Sequence, residues 1–226
     1  MHALLRTADA VLRRGARSTA PEASPPTLPR LLLCVLAFGG FYGVVMGLYR
    51  TLNGQPDGAL QALYSASKTP LLILGSFVIG LPVFFVLSTL LGLRRDFGRS
   101  VRALISAQAA TAIALAALAP VTLLFYLSTA DYQQALLFNG VCFAVASCAG
   151  QAVLRGHFRP LIARNPRHRG LLVGWAIAYL FVAVQLAWLL RPFIGSGLRV
   201  TVFRPEAWDN AYVVVVRLVW SLFTGD

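Results

Sequence analysis

The chain has 226 residues, 58% of them hydrophobic and only 12% charged, where ordinary soluble domains carry about a quarter charged residues. Twenty Lys and Arg against eight Asp and Glu leave a net charge of +12, and 19 of the 20 cations are Arg. The apolar content, three Cys and lack of a Gly-x-y period exclude a disordered chain, collagen and a disulfide scaffold, and arginines grouped between long apolar runs exclude a nucleic-acid-binding face.

The expectation is an all-α polytopic membrane helical bundle: five transmembrane helices with an amphipathic helix at each end of the chain. Residues 1–30 read as a basic amphipathic helix and a Pro-rich tether, 31–192 as the five-helix domain, and 193–226 as a tail on the opposite face. In 2–17, Leu4, Leu5, Ala8, Val11 and Leu12 form one helical stripe, with Arg6, Arg13, Arg14 and Arg17 off it. That pattern predicts a helix on anionic lipid. A mitochondrial presequence shares the Arg-rich amphipathic character, and Asp9 and Glu22 count slightly against it. The four prolines of 18–30 predict an extended tether.

A bilayer core of roughly 30 Å needs about 20 apolar residues. Five runs meet this without an interior charge: 31–49, 71–93, 103–127, 135–154 and 171–190. Pro82 and Pro120 predict bends in the second and third. Turn chemistry at Asn53-Gly54 and Pro56-Asp57-Gly58 precedes a short helix over 59–67, with Pro70 opening the second span. The connection 128–134 is short enough to make spans three and four antiparallel neighbours. The basic loop 155–170 holds Pro160 and Asn165-Pro166, which argue against a continuous helix.

Counting Lys and Arg between spans gives fourteen against six in favour of a cytoplasmic N-terminus. Five crossings then place the C-terminus on the opposite, non-cytoplasmic side of the membrane. The final stretch predicts an interfacial helix over 206–223, anchored by Trp208 and Trp220. A sixth span there would put Arg217 at mid-length, at high cost.

His2, His157 and His168 all fall outside the spans, in no zinc spacing, and read as polar loop residues; haem and metal sites are not expected. Cys34, Cys142 and Cys148 read as small packing residues. No Asp or Glu lies inside a span, which removes the usual carriers of coupled ions, and no nucleophile, P-loop or dinucleotide motif occurs. No cofactor and no enzymatic activity are expected.

The positive signal is small-residue spacing on helix faces: Gly39, Gly43 and Gly47 in span one, Ala103, Ala107, Ala110 and Ala114 in span three, Gly140 and Ala144 in span four, and Gly170 and Gly174 in span five. Such grooves let another backbone approach closely, within the chain or in another protein. Intramembrane amides Gln108, Asn139 and Gln185 serve either as interhelical hydrogen bonders or as a polar route. Arg191 and Arg204 either pin the tail to the bundle or contact an anionic group.

Lys68-Thr69-Pro70-Leu71-Leu72, Ala119-Pro120-Val121 with Phe125-Tyr126-Leu127-Ser128-Thr129 and Tyr132, Trp188-Leu189-Leu190-Arg191-Pro192-Phe193-Ile194-Gly195 and Phe203-Arg204-Pro205 together resemble a family of uncharacterised bacterial multi-pass membrane proteins. The resemblance runs from about residue 58 to the C-terminus and implies a bacterial membrane location without an activity. In architecture alone, the arrangement is also similar to the Yip family of trafficking membrane proteins. The expected function is a non-enzymatic accessory or scaffold subunit of a larger membrane complex. Its partners would be anionic lipid at the cytoplasmic arginines and other integral membrane proteins. The alternative is a lipid-handling or permease-like protein using the amides.

Overall fold

The computed structural model describes residues 2–16, 26–191 and 193–195. Among these residues the chain forms six α-helices and no strand: α1 (His2–Ala16), α2 (Leu28–Leu52), α3 (Gly58–Leu90), α4 (Phe97–Ser128), α5 (Tyr132–Arg164) and α6 (Arg167–Leu189), with a short 3₁₀ turn at Arg94–Asp96. Helices α2 to α6 are long and apolar enough to cross a bilayer. Their outer faces carry Val78, Ile79, Leu124, Leu137, Ile177 and Leu180, all exposed. An apolar surface of this extent belongs against lipid. The fold is an all-α multi-pass membrane bundle. The interfacial helix expected at 206–223, Arg204, and nearly all of the tail lie outside the described residues, as does most of the Pro-rich tether.

Each apolar run has a helix of its own, but α3, α4 and α5 are 32 or 33 residues long. That is about 50 Å, well beyond a hydrocarbon core of roughly 30 Å, so these helices tilt or project from it. Two expectations fail for this reason. No separate helix precedes Pro70: α3 runs unbroken from Gly58 through Pro70 and Pro82. Pro70 packs its ring over Gly39 of α2, and the Thr69 hydroxyl donates to the Ser65 carbonyl at 3.0 Å. Packing neighbours and hydroxyl donors of this kind keep a proline tolerable inside a membrane helix. Likewise 155–170 is not a loop. Helix α5 continues through Pro160 to Arg164, because Pro160 is exposed and the carbonyl it deprives of a donor lies near the surface. The break falls only at Asn165-Pro166, where the Asn165 side chain accepts the Arg167 N–H and restarts the chain as α6. Pro120 likewise lies inside a continuous α4.

The turns obey their chemistry. Gly54 and Asp57 take positive φ between α2 and α3, and Gly92 does so after α3, where the Leu93 N–H returns to the Ser88 carbonyl at 2.7 Å. Helices α4 and α5 are antiparallel neighbours across a three-residue connection.

The bundle is ordered by how its small residues are used. Gly43 and Gly47 of α2 lie directly on the α3 backbone at Ser65, Ala66 and Ala62. Gly150 of α5 receives Thr111 and Ala107 of α4. Helix α6 sits on the flank of α3: Trp175, fully buried, lies over Gly80 between Phe77 and Phe84. Only 11% of its most apolar stretch is buried, against 50% for α2, so α6 is the peripheral helix. Helix α1 does not rest on lipid alone. It buries Thr7, Ala8 and Val11 against α5, α2 and α4, while Leu5 and Leu12 of the same stripe stay exposed.

Candidate functional site

Two buried polar clusters stand out, both toward the arginine-poor end of the bundle, one joining α2, α4 and α5 and the other on α3. The first is built on Asn139 of α5. The Tyr42 hydroxyl donates to its Oδ1 at 3.0 Å, and its Nδ2 donates to the Tyr126 hydroxyl at 2.6 Å and to the Ala135 carbonyl at 2.7 Å. Thr122 donates to the Tyr42 hydroxyl at 3.4 Å and to the Leu118 carbonyl at 3.1 Å, one hydroxyl serving two acceptors. Asn139 thus ties α2, α4 and α5 together with both ends of its amide used. A second amide follows the same rule, Tyr179 of α6 donating to Gln108 of α4 at 2.8 Å.

The arginine-poor end gathers parts that are distant in sequence. Gln61, Ser65, Lys68 and Thr69 recur along one face of α3, all buried. Beyond α6 the chain turns back over this face, burying Ile194 completely. Gln61 Nε2 donates to the Phe193 carbonyl at 2.8 Å, and Ser65 Oγ donates to the same oxygen. Gly195, at φ +75°, leaves no room for a Cβ, which would stand 2.7 Å from Gln61 Oε1. The Trp188 to Gly195 run therefore meets α3 at Gln61 and Ser65. Arg50, fully buried at the end of α2, donates from Nε to the Pro56 carbonyl at 2.5 Å and braces the α2–α3 turn. Tyr49 reaches the Ala130 carbonyl at 2.6 Å, joining that turn to the α4–α5 connection. Ser65 is engaged with Gln61 and with backbone carbonyls, and neither His nor a carboxylate is among its partners. This geometry ties chain segments together.

The sequence-predicted residues divide. Gly39, Gly43 and Gly47 face α3, and Ala103, Ala107 and Ala110 are buried, with Ala114 partly so. Gly174 is half-buried against Leu87, whereas a Cβ at Gly140 or Gly170 would meet nothing among the described residues. Gly140, Ala144 and Cys148 all lie on the exposed face of α5. Gln185 is half-buried on α6, and Arg191 lies over the Trp188 ring at 4.3 Å. His168, read from sequence as a polar loop residue, is instead 1% exposed, its Nδ1 on the Asn165 carbonyl at 3.1 Å and its Nε2 3.6 Å from Asp96. The short turn into α6 carries it under the bundle end, beside Phe158.

Sequence reasoning missed Tyr42, Tyr126, Tyr179, Gln61 and Ser65. The signal for the tyrosines was present, since a phenol in an otherwise uncharged span needs a partner and the amides were the only strong ones available. Replacing Asn139 with Leu is expected to cost about 2 kcal/mol, because two phenols lose a buried partner and membrane reference states recover part of the loss. A double-mutant cycle of Asn139→Ala with Tyr42→Phe, read by denaturation in micelles, should return a coupling of about 1 kcal/mol.

In comparisons with known proteins, no family model, no curated protein and no solved structure matches this chain.

Proposed function

We propose that the chain is a non-enzymatic accessory or scaffold subunit of a larger membrane protein complex, belonging to a bacterial inner membrane with its N-terminus in the cytoplasm. The arginine count across the loops supports that orientation. The observation that carries the reading is the outward face of α5. Small-residue faces on α2 and α4 are consumed inside the bundle, whereas Gly140, Ala144 and Cys148 are exposed among the described residues, flanked by exposed Leu137, Val141 and Val145. In lipid, helix association relies on close backbone approach rather than on apolar burial, and such a face is the feature that rewards it. The expected occupant is a transmembrane helix of another integral protein with its own small-residue stripe.

The test is copurification from native membranes in mild detergent. Wild-type chain should bring a defined membrane protein with it, and Gly140→Leu with Ala144→Leu should abolish that recovery while unfolding behaviour stays unchanged. A wild-type chain recovered strictly as a solitary monomer overturns the proposal. The polar-route alternative has less support, because Gln108 and Asn139 already have tyrosine partners.

A further inference from the structure

At the arginine-rich end, α1 crosses over α4 and α5 and leaves a groove of about 150 Å³ beneath it. Its apolar walls include Ala10 and Val11 of α1 and Ala103 of α4, and its polar groups include Arg99 and Arg102 of α4 and His157 of α5. Val11 and Ala103 are buried, while both arginines are exposed, so the groove has an apolar floor and a cationic rim.

The charge arrangement is unfavourable on its own. Arg99 and Arg102 are three residues apart, in the first two turns of α4, where like charges repel and the helix dipole already contributes positive potential. Asp96 approaches Arg99 at 3.6 Å but is shared with His168 at the same distance, and no described carboxylate pairs with Arg102. His157 Nδ1 contacts the Val153 carbonyl at 2.9 Å; a carbonyl can only accept, so this nitrogen carries the proton and Nε2 of the neutral ring can only accept, as from a headgroup hydroxyl. An anion placed between Arg99 and Arg102 relieves their repulsion.

The floor decides which anion. A free phosphate would need polar partners on all sides, whereas an apolar floor beside a cationic rim fits an amphiphile. We propose that the groove binds one anionic glycerophospholipid, its phosphodiester on Arg99 and Arg102 and its glycerol end under α1, so that bound lipid clamps α1 to the bundle. This site is independent of the scaffold reading.

The experiment uses the full chain in detergent, titrated with phosphatidylglycerol or phosphatidylcholine and read by native mass spectrometry. Phosphatidylglycerol should be retained in preference to phosphatidylcholine, and Arg99→Ala with Arg102→Ala should weaken it about tenfold or more, the attraction of roughly two interfacial arginines. Ala10→Phe, which fills the groove and keeps every charge, should also abolish retention. Arg94→Ala with Arg95→Ala, at the same end but outside the groove, should change it less than about twofold, as expected of diffuse charge alone. Circular dichroism confirms that each variant is folded. Equal loss in both double variants, wild-type binding by Ala10→Phe, or displacement of the lipid by inorganic phosphate would each overturn the assignment.

Discussion

Alanine at Gly43 or Gly47 is expected to destabilise the bundle by about 2–3 kcal/mol at each position, the upper range for overpacking. A Cβ at Gly43 would stand 2.7 Å from the Ser65 carbonyl carbon and 2.8 Å from Ala66 Cα, with the Ser65 oxygen closer still. At Gly47 it would stand 2.7 Å from the Ala62 nitrogen and 2.9 Å from the Gln61 oxygen. Every one of these atoms is backbone, so relief requires the whole of α3 to move, and α3 is also held by α6 and by the returning 193–195 segment. Two controls separate this from a general intolerance of alanine. Among the described residues, Gly40→Ala meets only the Ala66 oxygen at an ordinary 3.5 Å, and Gly140→Ala meets nothing. Both should be neutral or slightly stabilising, since alanine exceeds glycine in helix propensity by about 1 kcal/mol. Denaturant titration of the purified chain in micelles, followed by circular dichroism, measures all four. Wild-type stability in Gly43→Ala and Gly47→Ala would mean that α2 and α3 do not pack as described.

That contrast marks the boundary of what the sequence discloses. Uncharged runs locate the five helices because lipid satisfies no backbone amide and forces each run into a helix. Periodicity also groups Gly39 with Gly43 and Gly47, and Gly140 with Ala144, on their helix faces. It does not say what lies opposite, and the first stripe turned inward while the second turned outward. Local rules misjudged Pro70 and Pro160 for a related reason. Proline removes one donor and crowds one carbonyl, but whether the helix survives depends on Gly39 across the interface and on surface exposure, neither of which is local.

The polar sites show the same limit from another side. Gln108 and Asn139 were visible as amides in apolar runs, and an amide in lipid needs a partner. Which tyrosine supplies it depends on helix rotation, 97 residues separating Tyr42 from Asn139 and 71 separating Gln108 from Tyr179. The meeting of Gln61 and Ser65 with the Phe193 carbonyl was further from reach, because Pro192 and Gly195 mark an exit from α6 without saying that the chain folds back onto α3.

Trp175→Ala is the second large effect, expected at about 3 kcal/mol, the low end for emptying a buried tryptophan site. Helix α6 fully buries only His168, Leu171 and Trp175, with Leu172, Tyr179, Leu186 and Ala187 packed partly against the core, so Trp175 is its largest buried side chain. Trp175 lies against Phe84 at 5.4 Å, Phe77 at 6.1 Å and Tyr179 at 5.5 Å between ring centroids, and its six-membered ring covers Gly80. The transfer part of the usual penalty is reduced because a released α6 remains in lipid, and the lost dispersion contacts and the cavity remain. The indole Nε1 is buried without an acceptor among the described residues. A ring without that donor should therefore serve almost as well, and Trp175→Phe is expected within about 1 kcal/mol of wild type. In Trp175→Ala, release of α6 should precede loss of the remaining bundle, giving a two-step denaturation curve where the wild type gives one. A single unshifted transition in Trp175→Ala would show that α6 is held by something other than the Gly80 contact. An equal loss in Trp175→Phe would instead assign the effect to the indole nitrogen.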